Sequence, residues 1–286
     1  RSSIERKVRR TVNEWHMLEP QDHVALAVSG GKDSVTLLTI LARLSVRFPR
    51  MKLTAITVDE GISGYREEAV EIATKYAKEL GVEHVTITFE ELYGQGLDDF
   101  LRTKKGERLS ACSYCGVWRR KAINLLAKNV GATKIATAHN LDDIVQTYLL
   151  NLFEGDAERF VRFSPVLNDP KGMFMPRIKP LCQIPEREVA LYGYTDELQF
   201  QTATCPYMTE ALRNELRTIL NRLEISHPGI ANSAYRTMIK LRNLAEPALT
   251  PQNLQQCEAC GEPTPFRLCE ACKMTGRVST SIASVN

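Results

Sequence analysis

Two sets of residues in this chain of 286 could do chemistry. The first is Ser29-Gly30-Gly31-Lys32-Asp33-Ser34, between two apolar runs. Two glycines let a backbone approach phosphate oxygens with no Cβ in the way. A helix starting there adds unpaired N–H groups and a partial positive charge. Lys32 contributes a point charge and Ser34 a hydroxyl donor. The Gly-x-x-x-x-Gly-Lys spacing of a Walker loop is absent. The second set is Cys112, Cys115 and Cys205. Three thiolates can hold three irons of a [4Fe-4S] cluster and leave the fourth open. One cysteine could instead carry a persulfide that another resolves, or the three could form a zinc site short of one ligand.

The elements that must position these residues read as an alternation. Apolar Ile4, Val8, Val12, Trp15 and Leu18 predict a helix over 3–18. Strands are expected at 23–29, 53–58, 83–89, 134–138 and 175–181. Helices are expected at 35–44, 66–80, 117–130, 142–153, 186–192, 208–223 and 230–244. Residues 90–111, with Gly94, Gly96 and Gly106, read as a long functional loop with at most one helical piece. Asn168 to Gly172 reads as a turn. Strand and helix in alternation predict an α/β fold, a parallel sheet with helices on both faces.

Ligands of such sheets bind at the carboxyl ends of the strands. Ala27 before the glycine loop, Thr57 and Val58 at the end of the second strand, and Ala138 at the end of the fourth are therefore nucleotide-lining candidates. Val58 is expected to meet adenine. His139-Asn140-Leu141-Asp142-Asp143 opens the next helix. Asp142 and Asp143 can cap it, and Asp143 is the candidate for Mg²⁺ binding or acid/base work.

Near the end, Cys257-x-x-Cys260 and Cys269-x-x-Cys272 are separated by eight residues. Four thiolates at that spacing close a tetrahedral Zn²⁺ site, and a module with so few apolar residues needs the metal to fold. The eighth cysteine, Cys182, reads as a buried small residue.

Net charge is only +3. Basic groups cluster locally at Arg1 to Arg10 and at Arg119-Arg120-Lys121, where solvated helix faces and an RNA-phosphate stripe are the competing readings. No apolar run is long enough to span a bilayer, and no signal-peptide pattern stands at Arg1. Paired cysteines without a secretion signal point to metal or redox chemistry in the cytoplasm rather than to disulfides. The expected organisation is an N-terminal helix over 1–22, a catalytic domain over 23–250 and a zinc-binding module over 251–286.

SGGKDS after a buried strand is the signature of the pyrophosphate-loop ATPases. Together with CSYCGVWRR at 112–120 in its cysteine context, TAHNLDD at 137–143, Arg177-Ile178-Lys179-Pro180-Leu181, Ala203-Thr204-Cys205-Pro206 and the terminal cysteines, the chain resembles the tRNA 2-thiolation enzymes of the TtuA, archaeal NcsA and eukaryotic cytosolic thiouridylase type. The resemblance covers almost the whole chain. It implies ATP-dependent replacement of a uridine 2-oxygen by sulfur, a [4Fe-4S] cluster on Cys112, Cys115 and Cys205, and a catalytic Asp143. It also implies tRNA as substrate, sulfur from a ubiquitin-like thiocarboxylate carrier or sulfide, and a possible homodimer. TtuA-like members carry a lysine where Arg119 stands here, and the form CGVxRR resembles the wobble branch, so U34 is expected over U54. An arginine does not give up its proton at neutral pH, so Arg119 is expected to stabilise phosphate or adenylate charge. The family's N-terminal zinc finger has no counterpart after Arg1. Thiolation or lysine attachment at cytidine, and a non-catalytic zinc-ribbon RNA binder, are the competing readings.

Overall fold

The computed structural model describes residues 2–104, 109–167, 174–208, 211–249 and 254–275. The turn expected at 168–172, four residues of the 90–111 loop, Arg1 and the end of the terminal module lie outside them.

Helix α1 (Ser2–Glu14) leads into β1 (His23–Ala27), α2 (Lys32–Ser45), β2 (Lys52–Asp59), α3 (Arg66–Glu79) and β3 (Glu83–Thr88). Then come α4 (Phe89–Tyr93), α5 (Leu97–Thr103), α6 (Ala111–Asn129), β4 (Lys134–Ala136), α7 (Leu141–Phe153) and α8 (Ala157–Arg162). Strands β5 (Val166–Leu167) and β6 (Arg177–Ile178) precede α9 (Glu186–Thr195), α10 (Ala211–Ser226) and α11 (Ile230–Leu249). The terminal module holds β7 (Gln255–Gln256), β8 (Pro263–Thr264) and α12 (Glu270–Thr275).

The main sheet runs β3-β2-β1-β4-β6-β5. It is parallel apart from the edge pair β5–β6, which the sequence pattern did not reveal. The strands turn alternate side chains to opposite faces. Val24 and Leu26 join one hydrophobic cluster with α1, α2, α7, α9 and α11. Ala25, Ile56, Val58 and Ile135 join the other, with α4, α5 and α6. The chain leaves β1 with β2 on one side and β4 on the other, so strand order reverses there and a crevice opens at the carboxyl ends. The glycine loop and the 137–140 segment both lie at this point.

Two sequence readings are corrected. Residues 90–103 are largely helical, because Phe89, Tyr93 and Phe100 pack around the fully buried Trp118. Tyr93 stacks on the indole at 4.4 Å and donates its hydroxyl to the Trp118 carbonyl at 3.0 Å. Aromatic contacts of this kind override a weak local period. Helix α6 also begins earlier than expected: Ser110 caps it by accepting from the Ser113 N–H, so Cys112 and Cys115 lie in its first turns rather than before it.

The glycine loop is braced from behind. Gly30 has φ +79°, and a Cβ there would fall 2.3 Å from the Ala69 carbonyl oxygen of α3. Gly30→Ala therefore combines left-handed strain with a backbone clash and is expected to cost more than about 2 kcal/mol. A lowered urea midpoint at unchanged m-value checks it, and a midpoint equal to that of the parent chain contradicts the brace.

Candidate active site

The glycine loop is internally bonded. Ser34 Oγ donates to the Gly31 carbonyl at 2.9 Å and accepts from the Ser29 N–H at 3.1 Å. Ser29 Oγ lies 3.2 Å from Ser34 Oγ and accepts from the Gly31 N–H at 3.4 Å. The hydroxyls hold the turn at the start of α2. Lys32 is anchored by Asp33 at 2.8 Å and by Glu186 of α9 at 3.1 Å. Burial works against its charge, but these two acids hold its pKa above the ordinary value. Burial raises the pKa of Asp33, against the pull of Lys32.

Behind the loop lies a chain of charges that sequence reading missed. Glu60, just past β2, is 2% exposed. Its Oε2 meets Arg66 Nε of α3 at 2.5 Å, an ion pair rather than an aligned hydrogen bond. Its Oε1 accepts from Arg119 Nε of α6 at 2.5 Å. Arg66 also donates to the carbonyls of Ser29 at 3.1 Å and Val58 at 2.7 Å. Arg119 Nη2 lies 3.1 Å from Cys115 Sγ. The only available signal was an acid at a strand's carboxyl end, Asp59-Glu60-Gly61.

The three expected cysteines share one neighbourhood, although among the described residues they do not close into a metal-binding group as the terminal cysteines do. Cys112 Sγ donates to the Tyr207 carbonyl at 3.1 Å, two residues beyond Cys205. Cys115 is buried in the same cluster against which Cys205 packs. Burial pushes the Cys115 thiol up to about 11, opposed by Arg119 and reinforced by Glu60, Cys205 and Cys112. Three neighbouring thiols, with an arginine beside one of them, are by chemical type a donor set for a cluster. All eight cysteines are free. Cys182 is fully buried, as expected.

At β4, Ala138 packs against the core and Thr57 is buried, its hydroxyl donated to the Val28 carbonyl at 3.0 Å. Val58 is 5% exposed and its carbonyl is taken by Arg66. Ala27 is half-buried at the end of β1. The capping expectation is corrected. Asn140 caps α7 by accepting from the Asp143 N–H at 3.0 Å, and Asp143 completes a capping box by accepting from the Asn140 N–H at 3.1 Å. Asp142 instead accepts from the Glu186 N–H at 2.6 Å and tethers the start of α9. Burial raises Asp143 to about 6, with a further push from Asp33.

Three basic groups, Lys179, Arg177 and Arg213, act on His139 beside this corner. Arg177 donates to Asn124 Oδ1 at 2.6 Å and to the Arg120 carbonyl at 3.4 Å. Burial and Arg120 lower its pKa to about 10. Burial and Arg177 lower Lys179 to about 8, although Cys182 opposes. Lys121 does not join this basic group: its Nζ lies 3.9 Å from Cys272 Sγ, on the side of the terminal module.

In the terminal module the sulfurs of Cys257, Cys260, Cys269 and Cys272 all lie within 4.8 Å of one another. Burial would push the Cys257 thiol up, but N–H groups of Cys269, Ala259 and Cys260 outweigh it and pull it down to about 6. Four converging thiols with N–H donors fit a single tetrahedral metal ion. The module packs on α6, with Lys128 and Glu262 paired at 2.9 Å. Among the described residues no helix is long and apolar enough to cross a membrane.

Comparison with known proteins agrees with the fold. A family model described as a PP-loop domain, of the ATP-binding type, matches residues 1–224. The chain is 38% identical over 96% of its length to the tRNA 2-thiolation protein NcsA of Haloferax volcanii, covering 89% of that protein. It is 32% identical over 96% of its length to the tRNA-5-methyluridine(54) 2-sulfurtransferase of Pyrococcus horikoshii, covering 84%. The solved structure of the U34-tRNA thiolase NcsA from Methanococcus maripaludis with its [4Fe-4S] cluster superposes with a TM-score of 0.82 at 33% identity, covering 96% of this chain and 86% of that one. The chain thus belongs to the PP-loop ATP-binding proteins and, within them, to the tRNA 2-thiolation family.

His139 reports the field at the crevice. Burial, with Lys179, Arg177 and Arg213, lowers its pKa to about 3, while its Nδ1 lies 2.9 Å from Thr137 Oγ1. An unfolded histidine binds its proton near pH 6.5. Protonation therefore favours the unfolded chain, and this residue lowers stability as pH falls below about 6.5. NMR of the ring nitrogens should show a neutral imidazole unchanged from pH 8 to 5; an inflection near 6.5 would contradict the assignment.

Proposed function

We propose that this chain is an ATP-dependent tRNA sulfurtransferase that replaces the 2-oxygen of a uridine by sulfur, with the wobble U34 as target. The observation that carries this reading is the placement of Cys115 beside an arginine whose carboxylate partner also holds the guanidinium bracing the glycine loop. A nucleotide seat and a thiolate seat then serve one cleft. The U34 thiolase structure, and Arg119 in place of lysine, support U34 over U54.

In this reading Ala27, Ser29, Gly30, Gly31, Lys32, Asp33 and Ser34 seat the ATP phosphates, with Thr57, Val58 and Ala138 beside the adenine and sugar. A uridine flipped from its stack presents O2 to the α-phosphate. The O2–P bond forms, and the α–β bond breaks to release pyrophosphate. Sulfur then adds to C2, and AMP departs with the former uridine oxygen. Adenylation turns a poor leaving oxygen into a good one. When bound on Cys112, Cys115 and Cys205, a [4Fe-4S] cluster would supply an iron free of protein ligands for handling sulfide. Lys32 and Arg119 offset the charge that develops on phosphate. Asp33 and Asp143 are the carboxylates available to Mg²⁺, and Asp143 is the candidate base. Zn²⁺ on Cys257, Cys260, Cys269 and Cys272 braces α6. The sulfur source is a ubiquitin-like thiocarboxylate or sulfide, the working form a homodimer, and the compartment the cytoplasm. The catalytic domain spans 23–250, between the 1–22 helix and the 251–286 module.

Nucleoside mass spectrometry of tRNA from cells lacking this chain should show loss of 2-thiouridine at position 34. Loss at position 54 alone would move the target, and intact thiolation would end the reading. Cys205→Ala should abolish thiolation and leave tRNA affinity nearly unchanged; parallel loss of both would mark the residue as structural. Asp143→Asn keeps an acceptor for the Asn140 N–H, so folding should survive while the rate drops by about 10²–10⁴. The parent rate should climb as pH rises through about 6, where the buried carboxyl ionises, and that limb should be missing from the variant.

A further inference from the structure

We infer that Glu60 is a positioning residue that couples occupancy of the glycine loop to the environment of Cys115. This inference deepens the reading above and rests on its two sites. Glu60 touches neither the loop nor a thiol directly, but its carboxylate is shared by the two guanidiniums that do. Arg66 reaches the Ser29 carbonyl, which leads into the left-handed Gly30, and the Val58 carbonyl at the end of β2. Arg119 reaches Cys115 Sγ. The path therefore runs from the Ser29 carbonyl through Arg66, Glu60 and Arg119 to sulfur, each link 3.1 Å or shorter.

Three features make this more than a stabilising ion pair. First, the carboxylate has one oxygen for each arginine, and Glu60 Oε2 and Arg66 Nε have no other hydrogen-bond partner. A shift of either guanidinium is thus felt by the other through one buried group, where charges interact strongly. Second, the Glu60 backbone is clamped. Its carbonyl accepts from the Leu97 N–H at 2.8 Å, and Gly61 lies so close to Gly96 that a Cβ would fall 2.8 Å from the Gly96 Cα. The carboxylate pivots on a fixed base. Third, two guanidiniums share one carboxylate, so the group carries surplus positive charge, and its outer end, Arg119, is the exposed one, at 47% against 5% for Arg66. A phosphate seated on the loop competes for that surplus, and Arg119 is the member free to move toward it and away from sulfur. Because linkage is reciprocal, the state of Cys115 must in turn alter nucleotide affinity.

The test uses full-length protein with Zn²⁺ kept on the terminal module and no cluster on Cys112, Cys115 and Cys205, ATP with Mg²⁺, and iodoacetamide, with peptide-resolved mass spectrometry of Cys115 and Cys205. It needs neither tRNA nor sulfur, so its outcome is independent of the thiolation assay. Loss of thiolation with coupling intact would sink the functional reading alone. In the parent chain, saturating ATP should change the Cys115 alkylation rate by about fivefold or more, the low end of typical coupling, and that of Cys205 by less. Glu60→Asp keeps the charge but shortens the reach. It should bring the Cys115 ratio close to one while the Kd for ATP stays within about threefold, well under a typical coupling factor. Arg119→Gln, read at an ATP concentration raised to saturation because this side chain itself meets phosphate, should also bring the Cys115 ratio close to one, and it keeps the test open where Glu60→Gln leaves Arg66 unpaired and the chain unfolded. Three results would overturn the inference: an unchanged ATP effect in both variants, equal shielding of Cys205 in the parent chain, or loss of ATP binding by Glu60→Asp in step with its loss of coupling.

Discussion

One buried carboxylate organises this site. Two guanidiniums from different helices converge on Glu60: Arg66, which is buried and depends on that charge, and Arg119, which reaches in from an exposed position. Through Arg66 the loop is held at its first carbonyl, and through Arg119 the cysteine helix is held against the end of β2. The desolvation of three charges is offset only if all remain paired. The two halves of the site are therefore constrained together rather than each by its own surroundings.

The sheet supplies the room for this arrangement. Because strand order reverses at β1, the glycine loop and the 137–140 segment emerge side by side and their helices diverge. The capping box at Asn140 and Asp143 sets the direction of α7, and Asp142 ties the start of α9 to the same corner. Glu186 then reaches Lys32. Helix α6 forms the opposite wall, wedged by the aromatic group around Trp118 on one side and by the terminal module on another. Lys121 connects that module to the helix carrying Cys112 and Cys115.

Much of this was legible in the sequence, and the losses have physical causes. The buried strands read clearly because Val24, Leu26, Leu53 and Ile56 cluster without polar interruption. The glycine loop read clearly because only one backbone shape fits SGGKDS between a strand and a helix. Residues 90–103 did not, since the helices there are five and seven residues long and depend on a tryptophan far along the chain. Strand β6 falls inside the strand expected at 175–181, whereas β5, only two residues long, is shorter than any period. Asp142 and Asp143 were seen as caps, but asparagine in front of them took that role. Glu60 escaped notice because its importance lies in partners 6 and 59 residues away, and charge pairing leaves no periodic mark.

The crowding of Arg177, Lys179 and Arg213 around a neutral His139 bears on kinetics as well as geometry. Arg177 is held by an amide oxygen and a carbonyl, not by a carboxylate, so its field extends into solvent. A polyanion is drawn toward such a mouth before any specific contact forms. Encounter rate should consequently be governed by ionic strength, since each condensed counterion released from the incoming strand adds to the drive.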